Sequence, residues 1–409
     1  MKIIYSLGIR LMYFWIWMAS PVNKKARLWI KGRRKIFSRI EKEIRPGDKT
    51  IWFHCASLGE FEQARPLIRE IVKQYIEYKI LITFFSPSGY EVRKSYGAAD
   101  YVFYLPLDTK KNARKFIQLL NPQKVFFIKY EFWYFFINEL AKRQIPVYSV
   151  SANFRTNHLF FRRYGKWYRR ILKNFTHIFV QNQQSYNLLK KYNINTVTIS
   201  GDTRFDRVFS IAMQSKSIEL VNYFKQNKIT IIAGSTHEKD EEFLIRYINY
   251  SSNNIKFIIA PHDINEDRIN RVYDAIRKYV IKYSEANKNN ISEADVLIVD
   301  NIGLLSSVYR FGNIAYVGGG FGKGIHNILE HAVYGMPILF GPNYKKSSEA
   351  IDLIDQNAAF VITDYQGLEI ILNKFCNSKE LLTNISRISR NYVRDNKGAT
   401  GIILKKIKE

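Results

Sequence analysis

The sequence predicts an α/β protein built from two doubly wound, Rossmann-like domains facing a central cleft. From Lys49 onward, short apolar runs alternate with longer amphipathic stretches. Most of the runs are uninterrupted rather than alternating, as strands buried on both faces must be. The alternation also starts afresh at Ile229, after an interval near residues 205–228. The chain has 409 residues, more than one core usually holds at ~150 residues per domain. With 46% hydrophobic and 24% charged residues, it has the composition of a folded globular protein.

The first element, Ile3 to Ala19, is apolar and aromatic (Tyr13, Phe14, Trp15, Trp17) but carries Arg10 near its middle and falls short of the ~20 residues of a spanning helix. Lys24, Lys25, Arg27, Lys31, Arg33, Arg34, Lys35 and Arg39 follow, a cluster that anionic lipid attracts to the cytoplasmic face of a membrane. Residues 1–45 are therefore expected to form a membrane-docking segment with a basic flank, the alternative being a buried helix followed by a solvated basic face. Residues 46–207 contain the runs Ile51 to Phe53, Ile80 to Phe85, Tyr101 to Leu105, Val125 to Ile128 and Val147 to Val150. Residues 208–409 contain Ile229 to Ala233, Phe257 to Ala260, Val296 to Val299, Ile314 to Val317, Ile338 to Phe340 and Phe360 to Ile362. In open α/β sheets ligands bind beyond the carboxyl ends of the strands, so the residues after each run are the candidates for chemistry.

After the first run, His54-Cys55-Ala56-Ser57-Leu58-Gly59-Glu60 leads into a helical pattern. Glu60 stands at that corner either as a base for a sugar hydroxyl or as a first-turn carboxylate favoured by the helix dipole. Adjacent His54 and Cys55 point to opposite faces of a strand and are read as packing. Glu131 lies among aromatic residues in Lys129-Tyr130-Glu131-Phe132-Trp133, where burial demands a partner. Arg204, in Gly201-Asp202-Thr203-Arg204-Phe205-Asp206, is open to a role on a leaving phosphate, to pairing with Glu131, or to a structural salt bridge. Ala233-Gly234-Ser235-Thr236-His237-Glu238 offers a phosphate site or a helix cap at Ser235 or Thr236. Val317 to Glu330 reads strand, glycine turn, helix: Gly318, Gly319, Gly320, Gly322 and Gly324 permit backbone N–H groups to close on a phosphate at the helix start. Glu330, three residues past Asn327, is placed to accept ribose hydroxyls or to favour the helix N-terminus.

Two cysteines exclude a disulfide framework, and the seven histidines are scattered along the chain without a His-Glu-x-x-His motif, so no metal is expected. Lys and Arg number 63 against 36 Asp and Glu, a formal charge of +27 that attracts polyanions of any kind.

These motifs, in this order and over nearly the whole chain, resemble the 3-deoxy-D-manno-octulosonic acid (Kdo) transferases of lipopolysaccharide synthesis. The matching stretches are Ala56 to Glu60, Tyr130 to Trp133, Ser151-Ala152-Asn153, Gly201 to Asp206, Ala233 to Glu238, and Val317 to Glu330 with Gly341-Pro342. The resemblance implies a GT-B glycosyltransferase fold, a CMP-Kdo donor, a lipid A precursor as acceptor, the cytoplasmic face of the inner membrane as its place, and neither metal nor cofactor. By position, Glu60 resembles the family's general base, and Glu131 and Arg204 its transition-state stabilisers. Pro261, His262, Ile302, Gly303, Leu304, Asn327, Ile328, Leu329 and Glu330 resemble its CMP contacts. The chain departs from the family at Arg204, where lysine is common, and at His262-Asp263, where Arg-His is usual. Another GT-B enzyme using a UDP-sugar is the nearest rival. A nucleic-acid-binding protein would account for the charge and for the basic, aromatic stretch Phe154 to Phe175, but not for two phosphate-type turns; no nucleic acid is expected as a partner.

Overall fold

The computed structural model of the chain describes residues 2–214, 217–301 and 303–408. They form two compact units, residues 1–207 with 397–409, and residues 208–396. Each is built on one seven-stranded parallel sheet with helices between successive strands.

The strands of the first unit are β1 (Thr50–Cys55), β2 (Lys79–Phe84), β3 (Tyr101–Tyr104), β4 (Pro122–Ile128), β5 (Val147–Ala152), β6 (His177–Val180) and β7 (Val197–Ile199). Those of the second are β8 (Ile229–Thr236), β9 (Ile255–Pro261), β10 (Val280–Lys282), β11 (Val296–Ile298), β12 (Ile314–Val317), β13 (Ile338–Phe340) and β14 (Ala359–Val361). The orders are β3-β2-β1-β4-β5-β6-β7 and β10-β11-β9-β8-β12-β13-β14. β6, β7 and β10, each three or four residues long and each including a polar residue (His177, Thr198 and Lys282), are not among the runs read from the sequence. In both sheets the chain winds outward from a central strand and returns to its other side, between β1 and β4 in one and between β8 and β12 in the other. At such a reversal the connections leave in opposite directions and open a crevice beyond the strand ends.

The expected span 208–409 is corrected at its end, because the helix Ala399–Lys408 belongs to the first unit. Asp206 caps it, accepting the N–H of Gly398 at 2.6 Å and of Thr400 at 2.7 Å. Ile403, Leu404 and Ile407 join the core around Phe53, Phe61 and Leu67. An amphipathic helix advertises an apolar face, not the sheet that will cover it.

The segment 1–45 forms the helices Lys2–Ala19, Lys24–Arg33 and Ile36–Glu43 on the first unit. Tyr5 ties the first of them down by donating to Asp108 Oδ2 at 2.5 Å. Its outer face exposes Ile3, Leu7, Leu11, Trp15 and Trp17, with Trp15 64% accessible. No helix among the described residues is long and apolar enough to cross a membrane. The basic cluster does not act as one surface. Arg33 stacks on Trp29 at 3.8 Å and donates to the carbonyls of Phe85 at 2.8 Å and Leu105 at 2.9 Å. Arg39 donates to the Val102 carbonyl at 3.3 Å and pairs with Glu43 at 3.1 Å. Lys24, Lys25, Arg27, Lys31, Arg34 and Lys35 remain exposed.

The stretch Phe154 to Phe175 is a chain of short 3-10 and α turns rather than one amphipathic helix. Phe154, Phe160, Phe161 and Phe175 are buried in the core. Those four rings are unavailable for stacking on bases, the basis of the nucleic-acid alternative.

Candidate active site

In the first unit the carboxyl ends of neighbouring β1 and β4 carry the two glutamates. Ser57 caps the helix Leu58–Gln74: its hydroxyl oxygen accepts the Gly59 N–H at 3.3 Å and its O–H donates to the Glu60 carboxylate. Glu60 is half-buried in the first turn, so both sequence readings of it, base and dipole partner, remain compatible with its place.

Beyond β4 the chain turns at Lys129, whose φ of 66° lies in the left-handed region. The turn brings Glu131 back over the strand ends, where it accepts the Trp133 indole N–H at 2.7 Å and stands 3.1 Å from His54 Nε2. His54 Nδ1 lies 2.8 Å from the Thr83 hydroxyl, which accepts the Trp52 indole N–H at 2.7 Å. The Trp133 indole N–H also lies 3.0 Å from His54 Nε2, so that one ring nitrogen faces both the indole and the Glu131 carboxylate while the other faces the hydroxyl. His54 is thus the carboxylate's buried support, not the packing residue expected from its place in a strand. Cys55 on the opposite face is fully buried; burial, and then the charges of Glu60, Glu131 and Glu62, push its thiol up, which suits an inert packing residue.

Arg204 is held by its own neighbour: Nη2 lies 2.7 Å and Nε 2.9 Å from Asp202 Oδ2. Asp202 also accepts from Gln63 at 3.0 Å, Gln181 at 2.7 Å and the Arg204 N–H at 2.9 Å. The salt bridge among the three readings is thus present, and a role on a leaving phosphate remains compatible with it. The arginine keeps 29% of its side chain accessible. Burial raises the Tyr130 phenol, Arg155 and Arg204 lower it, and Asp202 and Glu60 raise it again, so these charges share one neighbourhood.

In the second unit the glycine turn after β12 is a packing device. A Cβ on Gly318 would come within 2.1 Å of the Ser235 carbonyl, and one on Gly320 within 2.5 Å of the Gly341 nitrogen. Its N–H groups are largely engaged: Gly318 donates to Gly234 O at 3.0 Å, Gly319 to Asp240 Oδ2 at 2.9 Å, and Gly322 and Gly324 to Gly319 O at 3.0 and 3.2 Å. The following helix, Leu329–Ala332, is a single turn with little dipole to offer. The expected backbone phosphate cradle at a helix start is therefore corrected. The cap at the end of β8 differs too: His237, not Ser235 or Thr236, precedes the helix Glu238–Tyr250, and Asp240 accepts the His237 N–H at 2.9 Å.

A cavity of about 320 Å³ opens beside this turn, lined by Ser235, Gly303, Ser306, His326, Asn327 and Glu330 among others. Asn327 donates to Glu330 Oε1 at 3.0 Å and accepts the Leu329 N–H at 3.2 Å. His331 lines the same cavity; burial lowers its pKa to about 3, and its ring packs on Tyr309 at 4.1 Å. Of the sequence candidates, Gly303, Asn327 and Glu330 meet there. Leu304 is half-buried beside Gly303, while Ile328 and Leu329 bury their side chains in the core. Pro261 ends β9, buried, and His262 next to it is exposed. Ile302 lies outside the described residues.

Histidines scattered in sequence also meet: His237, His262 and His326 gather at the ends of β8, β9 and β12. Burial, and then His262 and His237, lower the pKa of His326. Neither this cluster nor the support of Glu131 by His54 leaves a spacing signal, because each joins residues from different strands.

Residues 31–207 match the model of a family described as 3-deoxy-D-manno-octulosonic-acid transferase (kdotransferase). A 3-deoxy-D-manno-octulosonic acid transferase of Haemophilus influenzae is 27% identical over 89% of this chain and 87% of its own length. One of Aquifex aeolicus is 28% identical over 83% of this chain and 85% of its own length. Among solved structures, a UDP-GlcNAc 2-epimerase of Neisseria meningitidis aligns with a TM-score of 0.62 at 15% identity, covering 88% of this chain and 99% of its own, a likeness of fold alone. With two such α/β units of the GT-B fold and Kdo transferases matching across most of its length, the chain is similar to the Kdo transferases, whose family model matches residues 31–207.

Proposed function

We propose that the protein is an inverting glycosyltransferase that moves Kdo from CMP-Kdo to a lipid A precursor in lipopolysaccharide core synthesis, at the cytoplasmic face of the inner membrane. In this reading the acceptor hydroxyl gives its proton to Glu60 while its oxygen attacks the ketosidic carbon of the donor. The bond from that carbon to the phosphate oxygen breaks on the opposite face, and CMP departs with the electron pair, inverting the anomeric centre. Glu131 is the carboxylate for positive character developing on the sugar, and Arg204 the cation for the departing phosphate. In the second unit, Gly303, Asn327 and Glu330 around the 320 Å³ cavity are the contacts for the nucleotide, with Glu330 accepting ribose hydroxyls. Backbone from Ile328 and Leu329, with Pro261, His262 and Leu304, completes that set; Ile302, the remaining expected contact, lies outside the described residues.

The observation that carries this reading is the placement of Glu60 and Glu131 at the ends of adjacent strands, beside the point where the first sheet reverses. The exposed apolar face of Lys2–Ala19 and the exposed lysines after it are the docking surface for an anionic bilayer, where the acceptor resides. Incubating purified protein with CMP-Kdo and the tetraacylated lipid A precursor, and weighing the lipid product, tests the assignment. Growth of the acceptor by Kdo residues is expected. No product from CMP-Kdo, with transfer from a UDP-sugar instead, would overturn it.

A further inference from the structure

Three of the seven histidines bring ring nitrogens together at the carboxyl end of the second sheet. His237 follows β8, His262 follows β9, and His326 closes the glycine turn after β12; β9, β8 and β12 are consecutive neighbours in the sheet. One ring nitrogen from each lies within 4.8 Å of the other two. The rings of His237 and His326 are almost parallel, at 7°, with their Nε2 atoms 3.3 Å apart. The His262 ring lies 4.8 Å from the first and 4.7 Å from the second, centroid to centroid.

Tetrahedral zinc bonds to imidazole at ~2.0–2.1 Å, which sets its nitrogen ligands ~3.3–3.4 Å apart. The His237–His326 pair already has that separation. Closing the triangle requires the third nitrogen to approach by at most ~1.5 Å, a ring rotation open to exposed His262. A single N–H···N bond would satisfy the first pair, but it gives no reason for a third imidazole at the same point.

The scaffold is firm. Asp240 accepts from the His237 N–H at 2.9 Å, the Gly319 N–H at 2.9 Å and the Tyr316 hydroxyl at 2.8 Å, locking the two turns that present His237 and His326. The His262 N–H bonds the Thr236 carbonyl at 2.9 Å, fixing the third to the same corner. Three imidazoles with no carboxylate among the ligand atoms suit zinc, cobalt, nickel or copper rather than magnesium or calcium.

We infer that His237, His262 and His326 form a binding site for a borderline divalent cation of the zinc type, with a fourth position open to water or an anionic oxygen. The cluster borders the cavity proposed for the nucleotide, which His326 lines and to whose contacts His262 was assigned. No step of the transfer passes through a cation, and the metal titration reads binding alone, so its failure is distinguishable from failure of the transfer reading.

The test uses the full chain, stripped with chelator and titrated with Co²⁺ and then Zn²⁺. One cobalt per chain is expected, with the intense visible absorption of tetrahedral coordination, displaced by zinc. His262→Ala and His326→Ala should each weaken binding by roughly 100-fold or more, while His158→Ala in the first unit should not; far-UV circular dichroism confirms that each variant is folded. His262 is exposed, so its variant reports even if the one at His326 misfolds. Absence of the visible band, or wild-type affinity in folded His262→Ala, overturns the inference. So does a cluster that binds inorganic phosphate but not cobalt, which would make it an anion clamp.

Discussion

His54 Nε2 stands 3.1 Å from Glu131 Oε2, a contact between residues 77 positions apart that exists because β1 and β4 are neighbours. The imidazole is wholly buried and the carboxylate nearly so, with 14% of its side chain accessible. Partners this close should not act independently. A double-mutant cycle of His54→Ala and Glu131→Ala is expected to give a coupling of about 0.5–3 kcal/mol in urea unfolding followed by circular dichroism. In the transfer assay His54→Ala should lower kcat more than it raises KM, as befits a residue acting through Glu131. Strict additivity would show that the contact carries no energy.

Glu60→Gln keeps the shape of the side chain and removes the base. Transfer should fall by about 10²–10⁴ with an unchanged melting curve. Arg204→Ala should cost about 10²–10³, and Arg204→Lys should recover part of that loss, keeping the charge without the two-nitrogen grip on Asp202. Near-normal turnover in Glu60→Gln would remove it from the chemistry.

Asp108 holds the N-terminal helix through Tyr5 and accepts the N–H groups of Phe135 and Phe136. Burial nevertheless raises its pKa from 3.8 to about 6, against the lowering effect of those hydrogen bonds. The folded chain thus keeps a proton here over a range, from about pH 6 down to about pH 4, where the unfolded chain does not. Through this group stability rises as pH falls across that window, and above it the buried charge is unfavourable by on the order of 3 kcal/mol. Asp108→Asn should therefore help more at pH 7.5 than at pH 4.5. Equal shifts in Tm at both values would contradict the assignment.

Gly320 and Gly341 touch backbone to backbone, so Gly320→Ala must displace main chain. A loss of about 3 kcal/mol or more is expected. Gly401, inside the helix Ala399–Lys408, has nothing within 4 Å of an added Cβ. There alanine should stabilise by about 0.5–1 kcal/mol. Thermal melts of the two variants should move in opposite directions.

Trp15 and Trp17, 64% and 54% accessible, are the large side chains to remove from the docking face. Replacing both by serine should weaken binding to anionic vesicles at least ~10-fold, and added salt should weaken the wild type as the exposed lysines are screened. Unchanged sedimentation with vesicles would assign membrane association to another surface.

The sequence by itself determined the two parallel sheets, because a strand buried on both faces must be apolar along its length, and that is visible locally as the runs at Ile80 to Phe85 or Ile229 to Ala233. It also placed Glu60, Glu131, Asn327 and Glu330 at element ends, since strand-to-helix corners announce themselves by small residues and glycine. Tertiary structure decided what those residues touch. Which strands become neighbours is a property of the whole sheet, so the meeting of His54 with Glu131, and of His237 with His326 from 89 positions away, has no local mark. The same holds for the helix Ala399–Lys408, returned to the first unit by Asp206, and for the glycine turn, whose N–H groups are taken up by partners that only the packed fold supplies.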